Sequence, residues 1–267
     1  MPSGVQQLKD DLQDKAEQSG GSTLTQEAKE ATSERLAEHL HDSGYNITSG
    51  EELKPKHIES YAESRLENVS ERTVQNELSH IRGILEEAGK DKMAQSDRLS
   101  NEALCGGKAD RTPAREAPTP DKKAEIIGKA EQRDAGVASA LKLQDALGLR
   151  PREAVQGAAS LKTWEKQLER GQRVTVVYGS KGGRPREVNP VDRQKALQAV
   201  KEARQVAQER GGRLVQSQKG SLKAAMSRYN RVAAQAGARG SYSPHSFRYS
   251  WTQQRVQAYR EQGFSRQ

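Results

Sequence analysis

Apolar residues are scarce in this 267-residue chain, a third of the total, yet over the first ninety positions they return every three to four residues. Val74, Leu78, Ile81 and Leu85 form the clearest stripe. That period places the side chains on one face of a helix, and a helix with one apolar face is stable only where another element covers it. The same rhythm runs through Val5, Leu8 and Leu12, through Ala28, Leu36 and Leu40, and through Ile58, Tyr61, Ala62 and Leu66. Pro55 in a first turn, Ser70 as a cap and Gly89 as a stop supply the punctuation. The pattern predicts a bundle of about four helices: Val5–Gln18, Thr25–His41, one from Pro55, and one from Ser70 to near Gly89.

The rhythm fails between about Leu99 and Pro120. From Cys105 to Pro120 there are three prolines, two glycines and no apolar period, which reads as an interdomain linker. Beyond it Thr119-Pro120 opens a helix, and Val137 to Leu147 form another that Gly148 ends. Arg173 to Tyr178 are β-rich, Gly179 to Pro185 turn-rich, and Arg186-Glu187-Val188 a returning strand. Helices resume over Pro190–Arg210, over Leu222–Ala236 and from Pro244. The fold class is mainly α with a small β-hairpin: a helical bundle over 1–98, a linker over 99–118 and a second domain over 119–267.

Formal net charge is +8 and the charge is unevenly placed. Residues 1–90 hold 10 Lys and Arg against 18 Asp and Glu, a net −8, which leaves +16 for the remainder. From Arg210 onward 11 basic residues face one acid, Glu261. A one-sided excess of this kind is what phosphate binding needs, and a solvated basic face has the same composition. Aromatic residues are only 4% and do not interleave with the basic runs, so duplex backbone is favoured over stacked single strands.

The single cysteine, Cys105, excludes an internal disulfide and reads as an incidental thiol in a reducing compartment. The start has no apolar leader and no run approaches membrane-spanning length, so a cytoplasmic, nucleoid-associated protein is expected. No phosphate-binding loop, His-x-x-x-His pair or Cys-x-x-Cys motif occurs, and no cofactor or metal is expected. His39, His41, His57 and His80 are expected mostly on exposed helical positions.

Three polar clusters remain. In Gly148-Leu149-Arg150-Pro151-Arg152-Glu153, Arg150 sits between a helix stop and a helix start, beside N-terminal amides that favour an anion. Arg suits phosphate because its donors form a planar fork, and Glu153 lies one turn on, able to fix it. In Tyr178-Gly179-Ser180-Lys181-Gly182-Gly183-Arg184-Pro185-Arg186, Lys181 at a glycine-rich tip can reach a phosphate or give a proton to a leaving oxygen, with Arg184 and Arg186 available to grip backbone. In Ser243-Pro244-His245-Ser246-Phe247-Arg248, a helix begun by Pro244 puts His245 and Arg248 on one face, while Phe247 and Trp251 pack on another. Each cluster alone is also an ordinary surface feature.

In this order, a Gly-Leu-Arg-x-x-Glu junction, a Lys in a β-turn and a Pro-His-Ser-Phe-Arg helix resemble the catalytic domain of tyrosine recombinases. The helical bundle and linker before them resemble that family's core-binding domain. Leu161-Lys-Thr-Trp-Glu-Lys-Gln-Leu and the hairpin after it look most like integrases of mobile elements and plasmids. The resemblance implies site-specific recombination of double-stranded DNA, with no metal or ATP, by tetramers on paired sites. It implies that Arg150 and Arg248 clamp the scissile phosphate, Lys181 is general acid to the leaving 5′-oxygen, His245 assists proton transfer and Glu153 supports Arg150. Arg152, Arg184 and Arg186 are expected to touch DNA. The family continues with a second His or Trp, commonly in a Gly-His turn, and then the nucleophilic Tyr. Only 19 residues follow Arg248 here, with no Gly-His pair. Tyr249 and Tyr259 do not match that position, and Tyr259 is expected to pack on the last helix. A C-terminally truncated enzyme is therefore expected, or else a non-catalytic DNA-binding protein or regulator derived from an integrase. A weaker third reading is a helical scaffold whose basic face binds RNA or acidic proteins.

Overall fold

In a computed structural model the chain forms two compact units, Met1–Thr112 and Pro113–Gln267. The structure describes residues 3–107, 116–216 and 220–263, with the Lys181 side chain outside the description. Of the linker expected over 99–118, positions 108–115 lie outside the described residues.

The first unit is a bundle of four long helices, α1 (Gly4–Gln18), α2 (Thr23–Asp42), α3 (Pro55–Leu66) and α4 (Glu71–Glu87), followed by the short α5 (Asp91–Ala94) and α6 (Asn101–Cys105). Ser3, Ser22 and Ser70 each accept a backbone N–H at a helix start, removing donors the helix cannot satisfy itself. Leu8, Leu12, Leu36, Leu40, Ile58, Tyr61, Leu78, Ile81 and Leu85 fill the core. Leu99 and Cys105 differ from expectation. Both are buried in this core rather than lying in a linker, because Ser100 caps α6 and turns the chain back onto the bundle. Burial pushes the Cys105 thiol up.

The histidines also differ from expectation. His57 is buried, and its Nδ1 accepts the Lys54 N–H at the start of α3. His39 bonds the Ser60 hydroxyl and His80 that of Thr32. Only His41 of these four is exposed. Helical spacing gave no sign of these partners, which come from neighbouring helices and a cap.

The second unit is built on α8 (Ala135–Leu147), buried on nearly every side. Around it stand α7 (Pro120–Glu131), α11 (Arg193–Glu209), α12 (Leu222–Gln235) and α13 (Ser246–Glu261). Short α9 (Pro151–Gln156) and α10 (Leu161–Glu169) lead into an antiparallel pair, β1 (Val174–Val176) and β2 (Arg186–Val188), with Val174 opposite Val188. A hairpin this short is marginal alone. Its first strand is held by α10, whose Trp164 Nε1 donates to the Thr175 carbonyl at 2.8 Å and whose Gln167 bonds the Thr175 N–H and hydroxyl. Val174, Val176 and Val188 face the core.

Candidate functional site

The residue where α8 stops builds the floor of the site. Gly148 has φ +60°, and a Cβ there would lie 2.4 Å from the Trp251 ring, so both its conformation and the ring pressed on it require glycine. This reversal aims the Gly148 carbonyl outward, where it accepts Arg248 Nη1 at 2.6 Å and Arg186 Nη2 at 3.3 Å.

Arg150 follows two residues later, in extended conformation, with Pro151 opening α9. Glu153 on α9 is fully buried and is the centre of the cluster. Its Oε2 accepts the Arg150 N–H at 2.7 Å and its Oε1 accepts Arg150 Nη1 at 2.8 Å. Arg186 at the start of β2 grips the same carboxylate through Nε at 3.0 Å and Nη2 at 2.5 Å. Burial alone pushes the Glu153 carboxyl up, but the bonds from Arg186 and Arg150 outweigh it and hold the group below its ordinary value. Arg186, expected to grip DNA backbone, is thus spent on Glu153, with its side chain 23% exposed.

Arg248 comes from α13. Burial, together with the like charges of Arg186 and Arg150, pulls its guanidinium below the ordinary value, against the opposing pull of Glu153. A guanidinium stays protonated regardless. Three cations therefore share one carboxylate and one carbonyl, leaving two positive charges uncompensated within the cluster. That surplus, behind a rigid and half-buried wall, fits a doubly hydrogen-bonded oxyanion.

His245 belongs to a turn rather than to a helix begun by Pro244. The α-helix starts at Ser246, and the Arg248 N–H bonds the His245 carbonyl at 3.1 Å. The His245 ring stands edge-on to Tyr249, with centroids 6.1 Å apart. Phe247 and Trp251 are buried as expected. Tyr259, expected to pack, is 40% exposed and its hydroxyl takes Arg255 Nη2 at 2.6 Å.

The Lys181 backbone lies in the single turn Lys181–Gly183 joining the strands, and its side chain lies outside the described residues. Gly179 brings that loop against α9: its φ is +74°, and a Cβ there would lie 2.8 Å from the Arg152 carbonyl. Arg184 is exposed and Arg152 half-exposed. Spacing put Arg186 among the residues expected to touch DNA but did not reveal that it would hold Glu153, nor that the Gly148 carbonyl would join the site, because those contacts arrive by tertiary packing.

The first unit is thus a helical bundle, and the second a helical domain in which arginines from α13, β2 and the α8–α9 junction gather around one buried carboxylate. Two family models match the chain, one described as integrase over residues 107–254 and one as phage integrase, N-terminal, over residues 5–94. The chain belongs to the integrase family of tyrosine recombinases. Its fold is similar to that of lambda integrase bound to DNA, at 16% identity and TM-score 0.60 over 97% of this chain and 87% of that one. It is likewise similar to the Tn1549 transposon integrase in complex with transposon right end DNA, at 14% identity and TM-score 0.58 over 96% and 87%. For a lambda integrase tetramer bound to a Holliday junction the values are 14%, 0.59, 93% and 72%. No curated protein is significantly similar in sequence. Among the described residues no helix is long and apolar enough to cross a membrane.

Proposed function

We propose that this chain acts on duplex DNA as a site-specific recombinase and seats the scissile phosphate between Arg150 and Arg248. The observation that carries the reading is the uncompensated charge of Arg150, Arg186 and Arg248 around buried Glu153. Arg186 and Glu153 act as the frame, leaving Arg150, with a third of its side chain exposed, and Arg248 to meet the phosphate oxygens. Their planar forks neutralise charge that grows on those oxygens as the phosphorus becomes five-coordinate.

In this reading Lys181 gives a proton to the leaving 5′-oxygen, and His245 assists proton transfer. Arg152 and Arg184 touch neighbouring backbone phosphates. The reading assigns no nucleophile to Tyr249 or Tyr259. Membership of the integrase family supports it, as do the DNA complexes of the similarly folded proteins. The tetramer known for lambda integrase supports assembly of four copies on paired sites.

The test begins by selecting duplexes from a random-sequence pool and measuring affinity for the selected site. Arg150→Ala and Arg248→Ala are each expected to weaken binding by about tenfold or more, the worth of a charge-assisted bond. Lys54→Ala, in the first unit, is expected to cost much less. Equal losses in all three would remove the proposed site.

A further inference from the structure

A buried glutamine ties the two arms of the site together. Gln144, in the last turn of α8, is fully buried, and both ends of its side chain are used. Its Nε2 donates to the Leu149 and Pro244 carbonyls, each at 3.2 Å, and its Oε1 accepts the Tyr229 hydroxyl from α12. The amide cannot be turned round, because two carbonyl oxygens accept only and so must face its NH₂. The oxygen end then requires a donor. Burial pushes the Tyr229 hydroxyl well up, so the proton stays in place to be donated. The Gln144 backbone adds a third tie, its carbonyl accepting the Gly148 N–H at 2.9 Å.

The carbonyls held in this way immediately precede Arg150 and His245. In a helix begun at Pro244, the Pro244 carbonyl would accept the Arg248 N–H. Here the Pro244 carbonyl accepts from Gln144, and the Arg248 N–H bonds the His245 carbonyl. One side chain thus sets where the first arm of the site begins and how the second enters α13.

We infer that Gln144, oriented by Tyr229, is a positioning residue that fixes the spacing of the Arg150 and Arg248 arms so that both guanidiniums address one phosphate. The inference rests on the phosphate clamp proposed above. An apolar side chain of similar size would pack α8 equally well without the cost of burying an amide. It would not direct two carbonyls at once, and a fully satisfied buried polar group is suited to that task.

The test uses the full chain, with inorganic phosphate as the probe and ¹⁵N signals of the arginine guanidiniums as the readout. In the wild type the Arg150 and Arg248 signals should move along one binding curve. Gln144→Met should weaken phosphate binding by about tenfold, and Tyr229→Phe by about threefold, the worth of one to two buried hydrogen bonds. In both variants the two arginine signals should cease to titrate together. Val200→Ala, a cavity in the same core, should lower the melting temperature and leave phosphate binding unchanged. Wild-type binding in both Gln144→Met and Tyr229→Phe would overturn the positioning role while the clamp stands, as would an equal loss in Val200→Ala. If phosphate moves neither arginine in the wild type, the clamp itself fails. Should Gln144→Met not fold, Tyr229→Phe decides.

Discussion

Glu153 shows how much of the site's electrostatics rests on one group. Its carboxylate is fully buried between Arg150 and Arg186, and removing it leaves two guanidiniums facing each other and Arg248. Glu153→Ala is expected to lower stability by about 3 kcal/mol, as when one partner of a buried pair is lost, measured by denaturant unfolding. The pH dependence follows from the same contacts. The folded carboxyl titrates below its ordinary value of 4.5, so its contribution is complete above that value and disappears as pH falls through the lower folded value. Glu153→Gln should flatten the acid limb of the stability curve, and an unchanged limb would contradict the assignment. Gly148 carries a second expectation at this level. A Cβ there is strained by the positive φ and collides with Trp251, so Gly148→Ala should cost about 2 kcal/mol or more and shift the fluorescence of Trp251. Of these features the sequence made Arg150, Glu153 and Gly148 legible, because a glycine stop, a proline start and a glutamate one turn on are local signals. Arg186's role as the second partner of Glu153 was not legible, because the two are 33 positions apart and meet only when the hairpin packs on α9.

The elements were legible wherever a local period or cap set them, and less so where packing decided. The four long helices of the first unit follow from period and punctuation, and the β1–β2 hairpin from β-rich segments around a turn-rich one. The start of α13 does not, because the Pro244 carbonyl is bonded by Gln144 from α8, a hundred positions away in sequence. The hairpin depends on α10: Trp164→Ala should remove its anchor, cost about 3–5 kcal/mol and open the Lys181–Gly183 turn to proteolysis. A hairpin no more cleavable than in the wild type would contradict that dependence. The bundle has its own pH response. His39, His57 and His80 are all lowered from 6.5, in each case chiefly by burial, so the fold favours their neutral forms. Their contribution is complete above 6.5 and is lost as pH falls below it. Both tryptophans, Trp164 and Trp251, lie in the second unit, so fluorescence follows that unit while circular dichroism follows all helices. Mild acid should melt helix before it changes tryptophan emission, and simultaneous loss would contradict this.

Across the whole molecule, charge and fold divide together. The first ninety residues carry −8 and the rest +16, so the net positive charge belongs to the second unit. The second unit is therefore expected to supply most of the counterion release on DNA. The most direct measurement is the affinity of the full chain for duplex DNA across a salt series. A linear fall of log affinity with log salt, with slope about −0.9 for each phosphate neutralised and visibly shallower in the Arg150→Ala, Arg248→Ala double variant, is the expected result. A flat salt response, or a slope unchanged by removing both arginines, would contradict the reading of this site as the place where DNA phosphate is held.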